Sequence, residues 1–186
     1  MNILIIGPPG VGKGTQAKLI KNELGIIHLS TGEILRKEIE NKTEIGIKAK
    51  FYIDKGEFIP DLTILEIIQR RLACSDCSNG YILDGFPRTL PQAIGLDRII
   101  TELNQNLDIA ISLTADEKIL EKRLIERSQK DNRSDDMPAI IKKRQKIYWK
   151  RTAPLLKFYK SKGLLKQVNG LGEIHQITIN IMNLLK

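Results

Sequence analysis

Residues 2–15 join a short apolar segment to a glycine-rich turn that carries a lysine and a threonine. Asn2–Ile6 has the β-branched, apolar composition of a buried strand. The glycines that follow let the backbone approach a ligand closely, so that N–H groups at the start of the next helix can converge on phosphate oxygens. Lys13 adds a mobile positive charge for the distal phosphates. The segment therefore predicts a phosphate-binding loop that holds a nucleoside triphosphate.

One position of this loop departs from the usual G-x-x-x-x-G-K-[ST] pattern. Gly7, Gly12 and Lys13 occupy their expected places, but Gly14 stands where serine or threonine is usual, and Thr15 comes one residue late. Mg²⁺ gives up its water reluctantly in proteins. We therefore expect Mg²⁺ to be held by nucleotide phosphates and water more than by a loop hydroxyl.

A second motif, Asp84-Gly85-Phe86-Pro87-Arg88-Thr89, follows a predicted strand at 81–83. An acid at a strand end orients Mg²⁺ or its waters in phosphoryl transferases, so Asp84 is a candidate for that role. The guanidinium of Arg88 can clamp a phosphate with two hydrogen bonds. The motif therefore predicts a second phosphate contact.

Further candidates are the arginines at 123, 127, 133 and 144. Arg123 and Arg127 share one helix face because they are four residues apart. Beside a phosphate loop, such a set can stabilise the charge that spreads over a transferring phosphoryl group. We find no Ser/His/Asp order and no histidine placed near these motifs. A phosphate acceptor is already anionic and needs no general base, so the sequence favours a nucleoside monophosphate over an alcohol as acceptor.

Length and composition predict one globular domain. The chain has 186 residues, 41% of them hydrophobic, and its apolar runs are too short to span a bilayer or to form a secretory signal. The formal net charge of +8 would suit nucleic acid. The basic residues of 142–151 alternate with apolar ones at helical spacing, however, so we expect a solvated helix face. We expect neither a nucleic-acid nor a membrane partner.

Two cysteines, Cys74 and Cys77, form a lone C-x-x-C in a polar stretch. A structural zinc site needs four ligands, and neither histidine has ligand spacing relative to this pair. We expect a surface loop here, no zinc site, and a reducing, cytoplasmic setting.

Strand and helix signals alternate along the chain. Strands are predicted at 2–6, 26–29, 81–83, 107–113 and 164–168. Helices are predicted at 13–24, 44–54, 61–73, 91–103, 116–127 and 173–185. Two further helices are predicted to begin at Ser30 or Thr31 and at Pro138. A polar break is expected at 128–136, and helical spacing makes Trp149 a packing residue. This order predicts an α/β fold with a three-layer, five-stranded parallel sheet, whose ligands lie beyond the carboxyl ends of the strands. The phosphate loop, Ser30-Thr31 and Asp84 all fall on that edge.

These motifs together resemble those of the adenylate kinases, and the resemblance covers nearly the whole chain. The segments that carry it are Gly7–Gln16, His28–Arg36, Asp54–Asp61, Asp84–Gln92, Arg123–Asp136 and Arg144. The resemblance implies a P-loop kinase fold and the Mg²⁺-dependent reaction ATP + AMP ⇌ 2 ADP. It also implies a monomer with a single domain at 1–186. Within it we expect a core (1–29, 60–125 and 137–186), a helical insertion that binds the nucleoside monophosphate (NMP) at 30–59, and a short lid at 126–136.

Carried over position by position, the resemblance implies two nucleotide sites. The expected ATP site comprises Gly10, Val11, Gly12, Lys13, Gly14, Thr15, Arg123, Arg127 and Gly172. The expected AMP site comprises Thr31, Arg36, Glu57, Phe58, Ile59, Gly85, Phe86, Pro87, Arg88, Gln92, Arg133 and Arg144. The expected catalytic groups are Lys13, Arg88, Arg123, Arg127, Arg133 and Arg144, with Asp84 holding Mg²⁺ through water. Gln92 is expected to read the adenine edge.

Only a few residues separate Arg127 from Arg133, where long members of the family insert an extra lid domain, sometimes with four zinc cysteines. The resemblance therefore implies a short-lid form without metal in the lid.

Three alternatives remain open at this stage. The UMP/CMP kinases share the fold, but they tend to carry alanine in place of Thr31 and an asparagine-rich stretch after the Pro-Arg at 87–88. In this chain, the hydroxyl of Thr31 and the amide of Gln92 suit the donors and acceptors of adenine. A nucleotide-binding switch would need the guanine-reading motif of GTPases, which Asn41-Lys42-Thr43-Glu44 matches incompletely. A nucleic-acid-associated ATPase would need an aromatic or arginine-rich binding module, which we do not find.

Overall fold

The computed structural model describes residues 1–131 and 134–185, in which strands and helices alternate. The strands are β1 (Asn2–Ile6), β2 (Ile27–Ser30), β3 (Tyr81–Asp84), β4 (Ile109–Thr114) and β5 (Leu165–Asn169). The α-helices are α1 (Lys13–Leu24), α2 (Thr31–Glu40), α3 (Glu44–Ile53), α4 (Asp61–Leu72), α5 (Leu90–Glu102), α6 (Glu117–Asp131), α7 (Pro138–Ile147), α8 (Pro154–Ser161) and α9 (Ile174–Leu184). Short 3₁₀ turns lie at Ser75–Cys77 and Ser134–Asp136, and a π-helical turn lies at Tyr148–Thr152. Across this part of the chain, no helix is long and apolar enough to cross a membrane.

The five strands form one parallel sheet in the order β2-β3-β1-β4-β5, which confirms the predicted fold class. In its register, Asp84 lies beside Ile5 on one side and Ser30 on the other. Because parallel strands end at the same edge, the segments that follow Ile6, Ser30 and Asp84 all leave the sheet together. That edge is where the sequence motifs predict the site.

Both faces of the sheet are covered, as a three-layer fold requires. Leu4 and Ile6 of β1 pack into one core, which contains residues of α2, α4, α5 and α8. Ile3 and Ile5 point to the opposite face, into a core shared with α1 and α9. All four side chains are at most 2% exposed, so β1 is buried on both faces and forms a rigid base for the phosphate loop.

Two of the helices near this edge start at side-chain caps. Ser30 accepts a hydrogen bond from the Glu33 N–H at 3.4 Å, which confirms the predicted cap at the start of α2. Thr89 caps α5 in the same way, since its hydroxyl oxygen accepts from the Gln92 N–H at 3.3 Å. Each cap satisfies a backbone N–H that the helix leaves without a partner, and it fixes where the chain turns away from the strand end.

The expected polar break at 128–136 is wrong in its first part, because α6 continues to Asp131. Residues 128–131 are polar, but they include neither glycine nor proline, and polarity alone does not end a helix. The longer helix places Arg127 well inside α6 instead of at its end.

The helix predicted from Pro138 is interrupted at the π-helical turn. There the Ala153 N–H bonds to the Tyr148 carbonyl at 2.9 Å, five residues earlier. Pro154 follows at once, and a proline lacks the N–H and crowds the carbonyl four residues before it, so the chain widens locally. The helix resumes as α8 with Pro154 in its first turn, where a proline is tolerated.

One prediction for the side chains in this part of the chain is wrong. Cys77 is 2% exposed and belongs to the core, whereas Cys74 is exposed, so the stretch is not wholly a surface loop. A thiol packs as a small apolar group, and burial raises the pKa of Cys77 to about 11. Trp149 packs edge-on against the Tyr148 ring, with a distance of 5.1 Å between the ring centroids, and it is 50% exposed.

Candidate active site

The phosphate loop depends on backbone angles that glycine supplies. Gly10 and Gly12 have φ of 85° and 97°, in the region that other residues rarely adopt. A Cβ on Gly10 would also lie 2.9 Å from the Leu120 carbonyl oxygen, against helix α6. Gly12 precedes α1 directly, so the loop delivers the N-terminus of that helix, with its partial positive charge, to the rim of the sheet.

Lys13, the first residue of α1, turns back onto its own loop. Its Nζ donates to the carbonyl oxygens of Gly7 at 2.7 Å and Pro8 at 3.0 Å. Burial lowers the pKa of Lys13 to about 7, and the charges of Arg88 and Arg144 act in the same direction, while Asp84 opposes them. An anion bound in this loop would favour the protonated lysine and raise its pKa again.

The structure brings a histidine to this edge, contrary to the expectation of none. His28 Nε2 lies 3.3 Å from Asp84 Oδ2, and both side chains are largely buried. Burial acts to raise the pKa of Asp84, but the hydrogen bond to His28 and the charge of Lys13 outweigh it and hold that pKa below its usual value. Residues 28 and 84 point to the same face of neighbouring strands, but only the pairing of β2 with β3 in the fold reveals this.

One cavity opens between α2, α3 and the strand ends, and it gathers most of the residues expected to bind AMP. Those that line it are Thr31, Arg36, Glu57, Phe58, Ile59, Gly85, Pro87, Arg88, Gln92 and Arg144. The Phe86 side chain is not among them, since it is 1% exposed in the core. We call this space the α2–α3 cavity.

Apolar and hydroxyl side chains that the motifs did not indicate complete the α2–α3 cavity. They are Leu35, Ile53, Ile64, Tyr148 and Thr152. Thr152 donates to the Arg88 carbonyl at 2.9 Å, which ties the π-helical turn to the motif after β3. Burial raises the pKa of Tyr148 to about 12. These residues come from distant segments, and no local spacing marks them.

The polar groups of the α2–α3 cavity are held in place before any ligand enters. The Gln92 side chain accepts from the Arg88 N–H at 2.7 Å and donates to Asp61 Oδ1 at 2.6 Å. Arg88 Nε donates to the Gly85 carbonyl at 2.6 Å, and Thr31, which is 2% exposed, donates to the Asp84 carbonyl at 3.3 Å. The cavity is therefore pre-organised for a ligand with a defined polar edge.

A second cavity lies on the other side of the phosphate loop, and we call it the α1–α6 cavity. All of the residues expected to bind ATP line it, namely Gly10, Val11, Gly12, Lys13, Gly14, Thr15, Arg123, Arg127 and Gly172. Asp84 lines it as well, and a Cβ on Gly14 would lie 3.4 Å from its Oδ2. Arg123 is fixed by a hydrogen bond of 3.2 Å from Nη1 to the Gly170 carbonyl.

A buried carboxylate joins two of the arginines. Arg127 donates through Nε and Nη2 to the two oxygens of Asp136 at 2.6 and 2.8 Å, and Arg144 Nη1 bonds to the same carboxylate. Asp136 is fully buried, so these charge-assisted hydrogen bonds compensate its charge. We call Arg127 and Arg144 the arginine pair. No motif assigned a role to Asp136, and Arg133 lies outside the described residues.

The two cavities share a wall. Its charged members are Lys13, Arg36, Arg88 and Arg144, which line both spaces. Cations common to two neighbouring cavities favour two anionic groups that meet between them. The arrangement suits the transfer of a phosphoryl group from a ligand in one cavity to a ligand in the other.

The loop after α3 rests on α7. Glu57 accepts a hydrogen bond of 2.6 Å from Lys143 Nζ, which lowers the pKa of that carboxyl. A Cβ on Gly56 would lie 2.7 Å from Ile140 Cγ2, so the glycine packs directly against that side chain. The loop after α3 is thus held against α7.

Comparison with known proteins identifies the family. A family model described as Adenylate kinase matches residues 5–164. A relative from Leptospira biflexa, named Adenylate kinase, is 47% identical over 180 residues, which cover 97% of each chain. A relative of the same name from Bifidobacterium longum is 46% identical, and the match covers 98% of each chain. Another from Clostridium botulinum is 39% identical, and the match covers 100% of this chain and 98% of the relative.

The chain belongs to the adenylate kinase family.

Family membership makes the chain a nucleoside monophosphate phosphotransferase. The reaction of the adenylate kinases is ATP + AMP ⇌ 2 ADP, and the matches do not favour the UMP/CMP kinase alternative. The two cavities and their shared wall of cations agree with a transfer between two nucleotides.

Proposed function

We propose that this chain catalyses ATP + AMP ⇌ 2 ADP with ATP in the α1–α6 cavity and AMP in the α2–α3 cavity. The observation that supports this assignment is the wall of cations that the two cavities share. Phosphoryl transfer proceeds in line between two polyanions, so positive charge is needed most where the two phosphate chains meet. The shared wall supplies that charge at one place.

The ATP phosphates would lie in the phosphate loop, where Gly10–Thr15 supply N–H groups at the start of α1. Lys13 would leave its two loop carbonyls and contact the distal phosphates. Arg123, Arg127 and Gly172 line the same cavity, so they would contact the rest of ATP.

AMP would enter the α2–α3 cavity with its base near Thr31 and Gln92 and its phosphate at Arg88 and the shared wall. Gly85 and Pro87 would line the phosphate through their backbone, while the segment at 57–59 covers the base. Because the Phe86 side chain points into the core, we assign it a structural part and no contact with AMP. Arg36, Arg133 and Arg144 complete this proposed set.

The chemistry needs no general base. An oxygen of the AMP phosphate forms a bond to the terminal phosphorus of ATP, and the bond from that phosphorus to the bridging oxygen breaks, so that ADP leaves with the electron pair. The attacking oxygen is already anionic, and His28 is therefore not required as a proton acceptor. Lys13, Arg88 and the arginine pair would stabilise the charge that spreads over the transferring group. We propose that His28 holds Asp84 in position.

Asp84 is the residue that would hold Mg²⁺, through water. Its lowered pKa keeps it ionised, it faces the α1–α6 cavity, and the missing side chain at Gly14 leaves space beside it. Oxygen ligands and retained waters suit Mg²⁺. When bound, the ion neutralises charge on the β- and γ-phosphates of ATP.

We also propose the division into a core (1–29, 60–125, 137–186), an NMP-binding insertion (30–59) and a short lid (126–136) within one domain. The contact of Glu57 and Lys143 joins the insertion to α7 of the core, which supports one domain. We propose a monomer, as the resemblance to short members of the family implies. Two free cysteines support a reducing, cytoplasmic compartment.

The test is ADP formation from Mg·ATP with AMP, CMP, UMP or GMP offered separately. We expect strong activity with AMP and slow ATP hydrolysis when no acceptor is added. Preference for CMP or UMP would overturn the acceptor, and ATP binding without transfer to any of them would overturn the reaction.

Variants at Lys13 and Arg88 test the proposed roles within the site. Lys13→Met and Arg88→Ala should each lower turnover by orders of magnitude while the circular dichroism spectrum stays native. As a matched control, Lys146→Met removes a positive charge from the exposed face of α7 and should leave turnover unchanged. Near-normal turnover in either site variant would remove that residue from the proposed machinery.

A further inference from the structure

Asp61, the first residue of α4, reaches across to the amide that is proposed to read the base. Its Oδ1 accepts from Gln92 Nε2 at 2.6 Å and from the Thr89 hydroxyl at 3.1 Å. Gln92 and Thr89 are both 3% exposed, so neither bond is easily replaced by water. Gln92 also lines the α2–α3 cavity, whereas Asp61 stands behind it.

The donors and acceptors around Gln92 permit only one orientation of its amide. The Arg88 N–H can only donate, and it meets Oε1 at 2.7 Å. The Asp61 carboxylate can only accept, and it meets Nε2. If the amide were turned over, two donors would face each other at Arg88 and two acceptors at Asp61. Both contacts would then be repulsive.

Thr89 fixes Asp61 as an acceptor. The Thr89 hydroxyl oxygen accepts from the backbone N–H of Gln92 at 3.3 Å. Its hydrogen is therefore directed to the other neighbour of that oxygen, the Asp61 carboxylate. Two donors thus converge on Asp61 Oδ1. The backbone N–H of Gln92 donates to Thr89, Thr89 donates to Asp61, and the side-chain amide of Gln92 also donates to Asp61. None of these three hydrogen bonds can run in the opposite direction.

The fixed amide keeps one N–H and one lone pair of Oε1 for a ligand in the cavity. This pair matches the 6-aminopurine edge of adenine, where N1 accepts and the amino group donates. A 6-oxopurine reverses that order, because its N1 carries hydrogen and its 6-oxygen accepts. Binding a 6-oxopurine by the same two atoms would require the inverted amide.

We propose that Asp61 is a positioning residue that sets the preference for AMP over 6-oxopurine monophosphates by holding the Gln92 amide in one orientation. The proposal rests on the proposed role of Gln92 in reading the base. Asp61 acts through Gln92 and contacts neither nucleotide. Its removal changes which base is accepted more than how fast a bound base reacts.

The test compares kcat and KM for AMP and for inosine monophosphate (IMP) in the native chain and in Asp61→Asn. An asparagine of the same shape can present either a donor or an acceptor to Gln92, so the repulsion at position 61 is removed and only the Arg88 N–H still opposes the inverted amide. We expect the ratio of kcat/KM for AMP to that for IMP to fall by about tenfold, the size of a lost hydrogen bond to a charged group. The change should lie in KM, with kcat for AMP within about twofold of native, because the cations of the shared wall stay in place.

A matched control keeps this result apart from an effect on helix stability. Glu117→Gln also turns an acid into an amide at the first residue of a helix, α6, and Glu117 does not line the α2–α3 cavity. It should leave the AMP-to-IMP ratio unchanged. Equal shifts of the ratio in Glu117→Gln and Asp61→Asn would overturn the positioning role. If Asp61→Asn does not fold, Asp61→Ser offers a hydroxyl that donates or accepts, and its ratio is judged by the same criterion.

Gln92→Leu separates failure of this inference from failure of the proposed function. If Gln92→Leu loses the preference for AMP while Asp61→Asn keeps it within twofold of native, then Gln92 reads the base and Asp61 does not position it. If Gln92→Leu keeps the preference, then Gln92 does not read the base, and both proposals fall.

Discussion

Lys13 provides the sharpest quantitative prediction, because its charge in the ligand-free protein depends on pH near neutrality. Burial lowers its pKa to about 7, and the neighbouring arginines hold it there. A phosphate chain in the loop brings negative charge to Nζ and raises that pKa again. Binding of Mg·ATP above pH 7 must therefore take up a proton, so affinity falls as the pH rises.

The size of the effect follows from the pKa. With a pKa of about 7, roughly nine in ten lysines carry the proton at pH 6 and roughly one in ten at pH 8. If the phosphates require the charged lysine, proton uptake rises from about 0.1 per site at pH 6 to about 0.9 at pH 8, and affinity falls about tenfold.

Isothermal titration calorimetry measures this uptake, because the observed enthalpy depends on the ionisation enthalpy of the buffer. Titrations at pH 6, 7 and 8 in two buffers each give the number of protons bound. Lys13→Met is the control, since the ionisation of the nucleotide itself is common to both proteins. Equal uptake by the native chain and Lys13→Met at pH 8 would refute the reasoning, and so would an affinity that does not change with pH.

Smaller, separable effects are expected from three other contacts. Asp136→Asn removes the negative charge and one of the two acceptor oxygens that the arginine pair shares. The free energy of unfolding should therefore drop by about 2–4 kcal/mol and turnover by more than tenfold, and an unchanged urea transition would contradict this. Glu57→Gln breaks an exposed ion pair, so KM for AMP should rise less than about threefold above the native value at low salt. At ~0.5 M salt the two KM values should agree, because salt screens the pair in the native chain too. Lys143→Met should reproduce that effect, and the double variant should not exceed it. Gly46→Ala places a carbon 2.0 Å from the Glu38 carbonyl oxygen, where α2 and α3 meet. It should lower the free energy of unfolding by about 1–3 kcal/mol. An unchanged melting temperature would argue against close packing of the two helices.

The sequence was sufficient to predict features that depend on local pattern. The buried strands β1 and β3, the phosphate loop and the acid at the end of β3 were predicted because a two-face buried strand followed by glycines has few other solutions. The edge on which they meet followed from parallel topology alone. Helix ends were less certain, as α6 shows, because polar residues without glycine or proline are compatible with either state.

Features that depend on contacts between distant segments were not predicted. Asp136 was missed because only the fold brings α6 and α7 against it. His28 was missed because the pairing of β2 with β3 cannot be deduced from either strand alone. Cys77 was predicted wrongly, since the composition of one short loop does not say which of its side chains faces another element.

The strand order has a consequence for how the chain is made. β1 is the first strand synthesised, yet its two neighbours in the sheet are β3 and β4. Tyr81 leaves the ribosome roughly 75 residues after Ile6, which at cellular elongation rates is a delay of about 4–15 s. During that interval a four-residue run of isoleucine and leucine has no partner strand. The segment that supports the nucleotide's phosphates is therefore the part of the nascent chain most exposed to aggregation, and the first that a chaperone would have to protect.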